Sequence, residues 1–313
     1  MKYSVYCILQ PGELEVQTLI LFCTLKKNLK GDYSITVCIP GGLMDHFQPE
    51  TTYLLDLLGI NSITFYNPTL ENSADLKNGD YFSNKYHPLP LLPDSDYVVF
   101  IDSDMLLVRK LDFSEVLKKA DFFAKPVCYM NENHWEDLYG LFEMKEPSLR
   151  VRGTVDRKIG PPYFNGGFFA IKNALAENLL NNWLVTFHRI TESEIMQDNL
   201  INREQAALAI SIIRMKCTFQ LLNENYNFPA RSKQLQASSN PYFVHYHDPE
   251  SIYKNAQLAA FAKNIFKEYP KLHTMASRLG NWKILTEEII NPNLISRRMK
   301  YRLKGFLQAR RPI

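Results

Sequence analysis

Residues 97–108 read YVVFIDSDMLLV: five apolar residues, Tyr97 to Ile101, run straight into Asp102 and Asp104. A continuous apolar run of that length is what a strand covered on both faces carries, and such strands belong to parallel sheets with helices on either side. Two acids at i and i+2 of an extended segment point the same way. Side by side they do not both stay ionised without compensation, so the pair asks for a cation. Carboxylate oxygens suit Mg²⁺ or Mn²⁺, usually with phosphate oxygens completing the shell. The competing reading is a loop whose acids cap a helix or face water. Their place directly after a buried strand favours the cation.

Working outward, strand and helix alternate before this stretch. Residues 3–9 (YSVYCIL) read as a strand closed by the turn signal Pro11-Gly12. Val16, Leu19, Ile20 and Cys23 recur at helical spacing over 14–28, and 34–39 (SITVCI) forms a second strand ending at Pro40-Gly41-Gly42. Leu54, Leu55, Leu57 and Leu58 mark a helix that stops near Gly59, and a third strand falls around 62–66. The alternation predicts a mostly parallel sheet with helices on both faces. The segment 75–92 reads as loop and then a short helix, and 97–101 as a central parallel strand. Beyond it, 121–127 and 161–173 read as strands, 175–189 and 198–213 as helices, 217–222 and 242–246 as strands, and 251–268 as one helix. The weakly periodic excursion 129–160 reads as a functional loop or lid. One domain over 1–275 followed by a basic helical tail over 276–313 accounts for the whole pattern.

The 313 residues, 46% hydrophobic and 22% charged, have the composition of an ordinary globular protein, and no apolar run approaches the roughly 20 residues a membrane-spanning helix needs. The start, MKYSVYCILQPGELE, lacks the apolar core and cleavage site of a secretory signal. Cys7, Cys23, Cys38, Cys128 and Cys217 are scattered, with no C-x-x-C pair, so neither a zinc site nor a disulfide framework is expected and a reducing cytoplasm is. Seven basic residues and no acid lie between Arg297 and Ile313, against a net charge of only +3, so the rest of the chain is net acidic. A nucleic-acid partner is not expected, because such proteins spread basic charge over the folded face. The tail places Met299, Leu303, Phe306 and Leu307 at helical spacing among the basic residues. That pattern suits peripheral attachment to an anionic membrane surface through 297–311, or a solvated basic end, or a helix docked on the acidic body.

Four other segments carry chemistry-bearing residues: NKYHPL (84–89), PYFNGGFFAIKN (162–173), NREQAAL (202–208) and YFVHYHD (242–248). Together with YVVFIDSDMLLVRKLD (97–112), they appear in the order found in nucleotide-sugar glycosyltransferases of the GT-A fold. The chain resembles in particular the retaining family that includes glycogenin and the bacterial lipopolysaccharide galactosyltransferases, over about residues 3–250. The resemblance implies an α/β, Rossmann-like GT-A architecture with a mixed, mostly parallel central sheet. It implies a metal-dependent transfer of a hexose from a nucleoside-diphosphate sugar, here a UDP-hexose, to a hydroxyl of a glycan, glycolipid or protein, with retention.

Residue by residue, the resemblance makes Asp102, Asp104 and His245 ligands of Mn²⁺ or Mg²⁺, with His247, two residues on, as the alternative histidine. Asn165 would address sugar or acceptor hydroxyls, and Gly166 and Gly167 would let backbone approach the donor closely. Gln205 would lie under the anomeric carbon with Glu204 beside it. Lys85 and Ser103 would contact the nucleotide sugar, and the first strand and its turn, with Tyr6 and Leu9, would hold base and ribose. Where the family has Gly and then Lys-Pro-Trp after the histidine, this chain has Asp248-Pro249-Glu250-Ser251-Ile252-Tyr253-Lys254, so Lys254 stands in for the lysine on the diphosphate at a longer spacing. His134, Trp135 and Tyr139 in the 129–160 segment would form an acceptor platform or pack a lid. Were the enzyme inverting, Glu204 or Asp198 would serve as base.

Two rivals stand beside this reading. A haloacid dehalogenase-type phosphatase would use Asp102 as nucleophile, but it expects Gly or Thr after the second acid and the motif on the first strand. Here Met105-Leu106-Leu107 follows, deep into the chain. A non-catalytic sugar-nucleotide-binding protein would keep the same binding residues without turnover.

Overall fold

The computed structural model describes residues 1–68, 80–127, 132–154, 156–193, 195–196, 200–236 and 238–287. The basic stretch 297–311 and Asp198 lie outside the described residues. In chain order the principal elements are β1 (Lys2–Ile8), α1 (Glu13–Asn28), β2 (Asp32–Pro40), α2 (Pro49–Leu57), β3 (Asn61–Phe65), β4 (Tyr97–Ile101), β5 (Phe122–Pro126) and α3 (Glu132–Leu141). They continue with β6 (Phe164–Lys172), α4 (Ala176–Glu192), α5 (Leu200–Arg214), β7 (Phe219–Leu221), α6 (Ala256–Glu268) and α7 (Pro270–Arg278).

The seven strands form one sheet in the order β7-β5-β6-β4-β1-β2-β3. β4 is buried along its whole length, as the apolar run requires. It pairs in parallel with β1, Tyr3 opposite Tyr97, but its other neighbour, β6, runs antiparallel to it, Phe168 opposite Ile101. The sheet is therefore mixed and mostly parallel, as expected, and 97–101 is a strand with one parallel and one antiparallel neighbour. The reversal matters, because it carries the start of β6 to the same sheet edge as the carboxyl ends of β1 and β4, where open α/β sheets bind ligands.

Alternate residues of β4 feed two cores. Val99 and Ile101 pack with α1, α2, α6 and α7, while Val98 and Phe100 pack with α3, α4 and α5. Helices thus cover both faces. α1 is buried from Glu15 to Leu25; its acids Glu13 and Glu15 sit in the first turn and Lys26 and Lys27 in the last, the arrangement that complements the helix dipole. Gly12, at φ 87°, turns the chain into it, and the Gly12 N–H donates to Glu15 Oε1 at 2.9 Å.

Two expectations are corrected. The 129–160 segment is not a featureless loop: it holds α3 and a small ribbon, Val151–Arg152 against Ile159–Gly160. Trp135 and Tyr139 are buried on α3, Trp135 edge-on to Tyr163 at 5.1 Å, so both pack the domain and neither offers a face to an acceptor. His134 is half-buried. The helix expected over 251–268 is broken into a short turn, Pro249–Tyr253, and α6, because Asn255 caps α6 by accepting the Leu258 N–H at 3.2 Å.

The turns that lead into β4 hold His87, whose Nε2 is buried and has no hydrogen-bond partner among the described residues. Burial first, and then the neighbouring His188, push its pKa down to about 4. Below about pH 6.5 the unfolded chain takes up this proton while the native protein does not, so His87 drains stability as pH falls from 6.5 towards 4. After discounting for partial exposure, the loss is on the order of 1–2 kcal/mol. His87→Gln is expected to flatten the fall in melting temperature between pH 7 and pH 4.5; an unchanged slope would refute this.

Candidate metal and donor site

A second, three-stranded sheet assembles the site. Met105–Leu107, immediately after Asp104, pairs antiparallel with Phe243–His245, which pairs in parallel with Phe228–Pro229. Met105 stands opposite His245, and the Tyr246 N–H donates to the Asp104 carbonyl at 3.0 Å. This ladder brings residues 140 positions apart in sequence side by side, and it sits next to the carboxyl edge of β4.

His245 Nε2 lies 3.1 Å from Asp104 Oδ1. After His245 the chain leaves the strand, and His247 adopts φ 62°, the left-handed region that a bulky side chain rarely occupies. That turn folds the His247 ring back to 3.9 Å from the His245 ring and sets its Nδ1 3.4 Å from Asp104 Oδ2. Both histidines therefore face the same carboxylate. One ligand atom from each of Asp104, His245 and His247 falls within 4.8 Å of the others, the spacing of a metal-ligand group. Burial would raise the Asp104 pKa, but the two histidines that face it outweigh burial and hold the carboxyl well below the usual range. One ionised carboxylate and two imidazoles, converging and preformed, fit a divalent cation.

Asp102 stands at the other side of this group. Its N–H extends the β4–β6 ladder to the Gly167 carbonyl at 2.8 Å, and its Oδ1 lies 3.7 Å from Lys85 Nζ. Burial, partly offset by Lys85, raises its pKa. Lys85 also reaches the Gly166 carbonyl at 3.2 Å and Glu204 Oε2 at 3.8 Å, so one ammonium bridges the partly exposed Asp102 and the buried Glu204. Glu204 is buried, which raises its pKa against the pull of Lys85. Its other oxygen accepts from Tyr86 at 2.7 Å, and Tyr86 is clamped between Phe169 and the Trp183 ring, the latter stacked at 4.2 Å.

The two glycines of β6 are required by these neighbours. A Cβ on Gly166 would collide with the Glu204 carboxylate, and one on Gly167 would meet Asp102 Oδ2 at 2.6 Å, with Asn165 Oδ1 and His245 Cε1 each at 3.1 Å. The β5–β6 register shifts between Phe164 and Phe169, so the pair sits in a bulge. Gly167→Ala is expected to displace Asp102 and His245 together and to cut kcat/KM about 100-fold, since ångström-scale misplacement of reacting groups costs that much. Unchanged turnover with an intact fold would show that the packing does not matter.

Other expected site residues fall as follows. Asn165 Oδ1 accepts from the Gly167 N–H at 3.0 Å and from Asn227 Nδ2 at 2.7 Å. Gln205 is buried, and its Oε1, itself shut off from solvent, has no partner among the described residues. Tyr6 is fully buried, with its hydroxyl donating to the Lys85 carbonyl at 2.6 Å, and Leu9 is fully buried as well. These two side chains support the site floor and do not face a base. Ser103 donates to Gln17 Oε1 at 3.1 Å. Lys254 is exposed and pairs with Glu250 at 3.0 Å; none of its described contacts is with the acid–histidine group. Asn227, Tyr86 and Lys125 were not expected from the sequence. Lys125 is buried on β5 and donates to the Asn227 carbonyl at 2.8 Å. A lone lysine inside the apolar run DFFAKPV was its one legible signal.

A Rhodobacterales glycosyltransferase domain, as a family model, matches residues 5–216. The chain belongs to this family. It is a glycosyltransferase, and the matched span runs from within β1 through α5 and includes Asp102, Asp104, Lys85, Asn165, Glu204 and Gln205. His245 and His247 lie beyond the match. No curated protein matches the chain. Among the described residues of this glycosyltransferase, no helix is long and apolar enough to cross a membrane.

Proposed function

We propose that this glycosyltransferase moves a hexose from a UDP-sugar to a hydroxyl acceptor, with retention, using a divalent ion held by Asp104, His245 and His247 with Asp102 beside them. The observation that carries the reading is the convergence of these side chains at the carboxyl edge of β4, next to the half-buried Lys85. Two imidazole nitrogens favour Mn²⁺ over Mg²⁺, which prefers oxygen ligands. A bound divalent ion supplies Lewis-acid neutralisation of the charge that develops on a leaving diphosphate.

In the transfer, the bond between the anomeric carbon and the diphosphate oxygen breaks, and a bond from the acceptor oxygen to the same carbon forms. The proton leaves the acceptor hydroxyl for the departing phosphate oxygen. Lys85 adds positive charge beside Asp102, where the diphosphate would lie. Both Glu204 oxygens are occupied, by Tyr86 and Lys85, which disfavours Glu204 as the base an inverting reaction needs. Gln205 would stabilise the cationic face of the sugar.

A panel of UDP-glucose, UDP-galactose, their N-acetyl forms and GDP-mannose, scored for Mn²⁺-dependent hydrolysis, tests the reading without the true acceptor. The anomer released, read by proton NMR before mutarotation, distinguishes retention from inversion. Metal-independent turnover would refute the metal assignment. Attachment to an anionic membrane remains part of the proposal through 297–311, and liposome co-sedimentation of a chain ending at Asn293 tests it: unchanged binding removes that role.

A further inference from the structure

We propose that Asn227 is the positioning residue that fixes which nitrogen of His245 faces the metal, acting through a hydrogen-bond relay anchored on the backbone of β6. The proposal rests on the metal reading above. The relay has a fixed polarity, and the polarity follows from one group that cannot be turned around. The Gly167 N–H is a donor and nothing else, so the Asn165 side-chain atom that it meets at 3.0 Å is the carbonyl oxygen. That oxygen also receives a side-chain atom of Asn227 at 2.7 Å, which must then be the amide nitrogen. The other atom of the Asn227 carboxamide, its oxygen, faces His245 Nδ1 at 3.2 Å. An amide oxygen only accepts, so Nδ1 carries a proton and Nε2 is the ring nitrogen left for a cation. Nε2 is the atom aimed at Asp104, 3.1 Å away.

Asn227 is itself held at every polar group. It is buried; its N–H donates to the Glu224 carbonyl at 3.1 Å, and its carbonyl accepts from the buried Lys125 at 2.8 Å. It lies directly before the strand Phe228–Pro229, whose pairing opposite Val244 and His245 sets it beside the histidine. A carboxamide this constrained cannot rotate to offer its nitrogen to His245 without breaking the Asn165 contact. Partners on the far nitrogen of a metal-ligating histidine set its tautomer and ring orientation, and their loss typically weakens metal binding about 10–100-fold. The buried Lys125 is thereby given a role: it pins the backbone of the residue that orients the ligand.

The test is Mn²⁺ affinity, read by the electron paramagnetic resonance of the free ion, with melting temperature as the check on fold. Asn227→Leu keeps the volume and removes the acceptor, and it is expected to weaken Mn²⁺ binding about 10–100-fold. Asn227→Asp keeps an acceptor for the Nδ1 proton while breaking the link to Asn165, so its Mn²⁺ affinity should stay near that of the wild type. A role confined to packing would weaken both variants alike, and that result overturns the proposal, as does an unchanged affinity in Asn227→Leu. Should Asn227→Leu fail to fold, the Nδ1 proton of His245 in the Zn²⁺-loaded wild-type protein carries the test: slow exchange with solvent is expected, and an unprotected proton overturns the proposal. Wild-type protein that binds no Mn²⁺ overturns the metal reading and this inference together; wild-type binding with an insensitive Asn227→Leu overturns this inference alone.

Discussion

Asp104→Asn is expected to lower kcat/KM by roughly 1000-fold or more and to abolish Mn²⁺ binding, while leaving the melting temperature within a few degrees of wild type. The expectation rests on Asp104 being the carboxylate shared by both histidines, at 3.1 and 3.4 Å. Asparagine keeps the shape and one acceptor oxygen but removes the charge that a cation and a leaving diphosphate together demand, and such electrostatic stabilisation supplies several kcal/mol at the transition state. The fold should persist, because the backbone carbonyl of residue 104 ties the two small strands through Tyr246, although the depressed Asp104 pKa means that its ionised side chain contributes some stability. Steady-state assays with the best donor of the panel, alongside Mn²⁺ titration, check both halves. Retained metal-dependent turnover would remove Asp104 from the ligand set.

The framework was legible because each early element carries its own period: the alternation of β1, α1, β2, α2 and β3 is local information. Strand direction is not. Phe164–Lys172 is the same apolar run whether it lies parallel or antiparallel to β4, and only the tertiary arrangement turns it round. α3 is hard to read from the sequence although Trp135, Leu138 and Tyr139 recur at helical spacing, because its neighbours ENH and ED dilute the signal. The break before α6 had a local cause, Asn255, that a longer helical pattern hid.

The site was legible where chemistry is concentrated in unusual residues. Acids after a buried strand, paired glycines and histidines at a strand end each stand out, and the fold gathers them. What the sequence could not tell is which atoms meet. His247, expected only as the alternative to His245, joins it on Asp104 through a left-handed turn, which no residue pattern announces. Tyr6 and Leu9 lie on the expected strand but face its core, since a strand at the edge of a binding site still directs most of its side chains inward. Asn227 had no sequence signal at all: an asparagine before a two-residue strand is ordinary until the strand's partner proves to be His245.

Lys85→Met should be the most destabilising single change at the site, and its cost should depend on pH. In the native protein one ammonium serves both Asp102 and Glu204, and Glu204 is almost wholly buried. Methionine retains the length of the aliphatic stem and removes the charge, leaving the Glu204 carboxylate, among the described residues, with only the Tyr86 hydroxyl as partner. Breaking a buried pair in this way costs about 3–5 kcal/mol when the remaining group stays ionised. The Glu204 pKa is already raised by burial despite Lys85, and without the lysine it rises further. A carboxyl whose folded pKa lies above its unfolded value favours the native state when protonated and loses that advantage as pH rises through the folded value. The deficit of Lys85→Met should therefore be full at pH 8 and shrink towards pH 5, where Glu204 takes up a proton and becomes a neutral buried acid. Urea unfolding of wild type and variant at the two pH values measures it. An equal loss at both would mean that Lys85 contributes packing rather than charge, and the double variant Lys85→Met, Glu204→Gln distinguishes the two, since it should recover most of the stability at pH 8 only if charge is the cause.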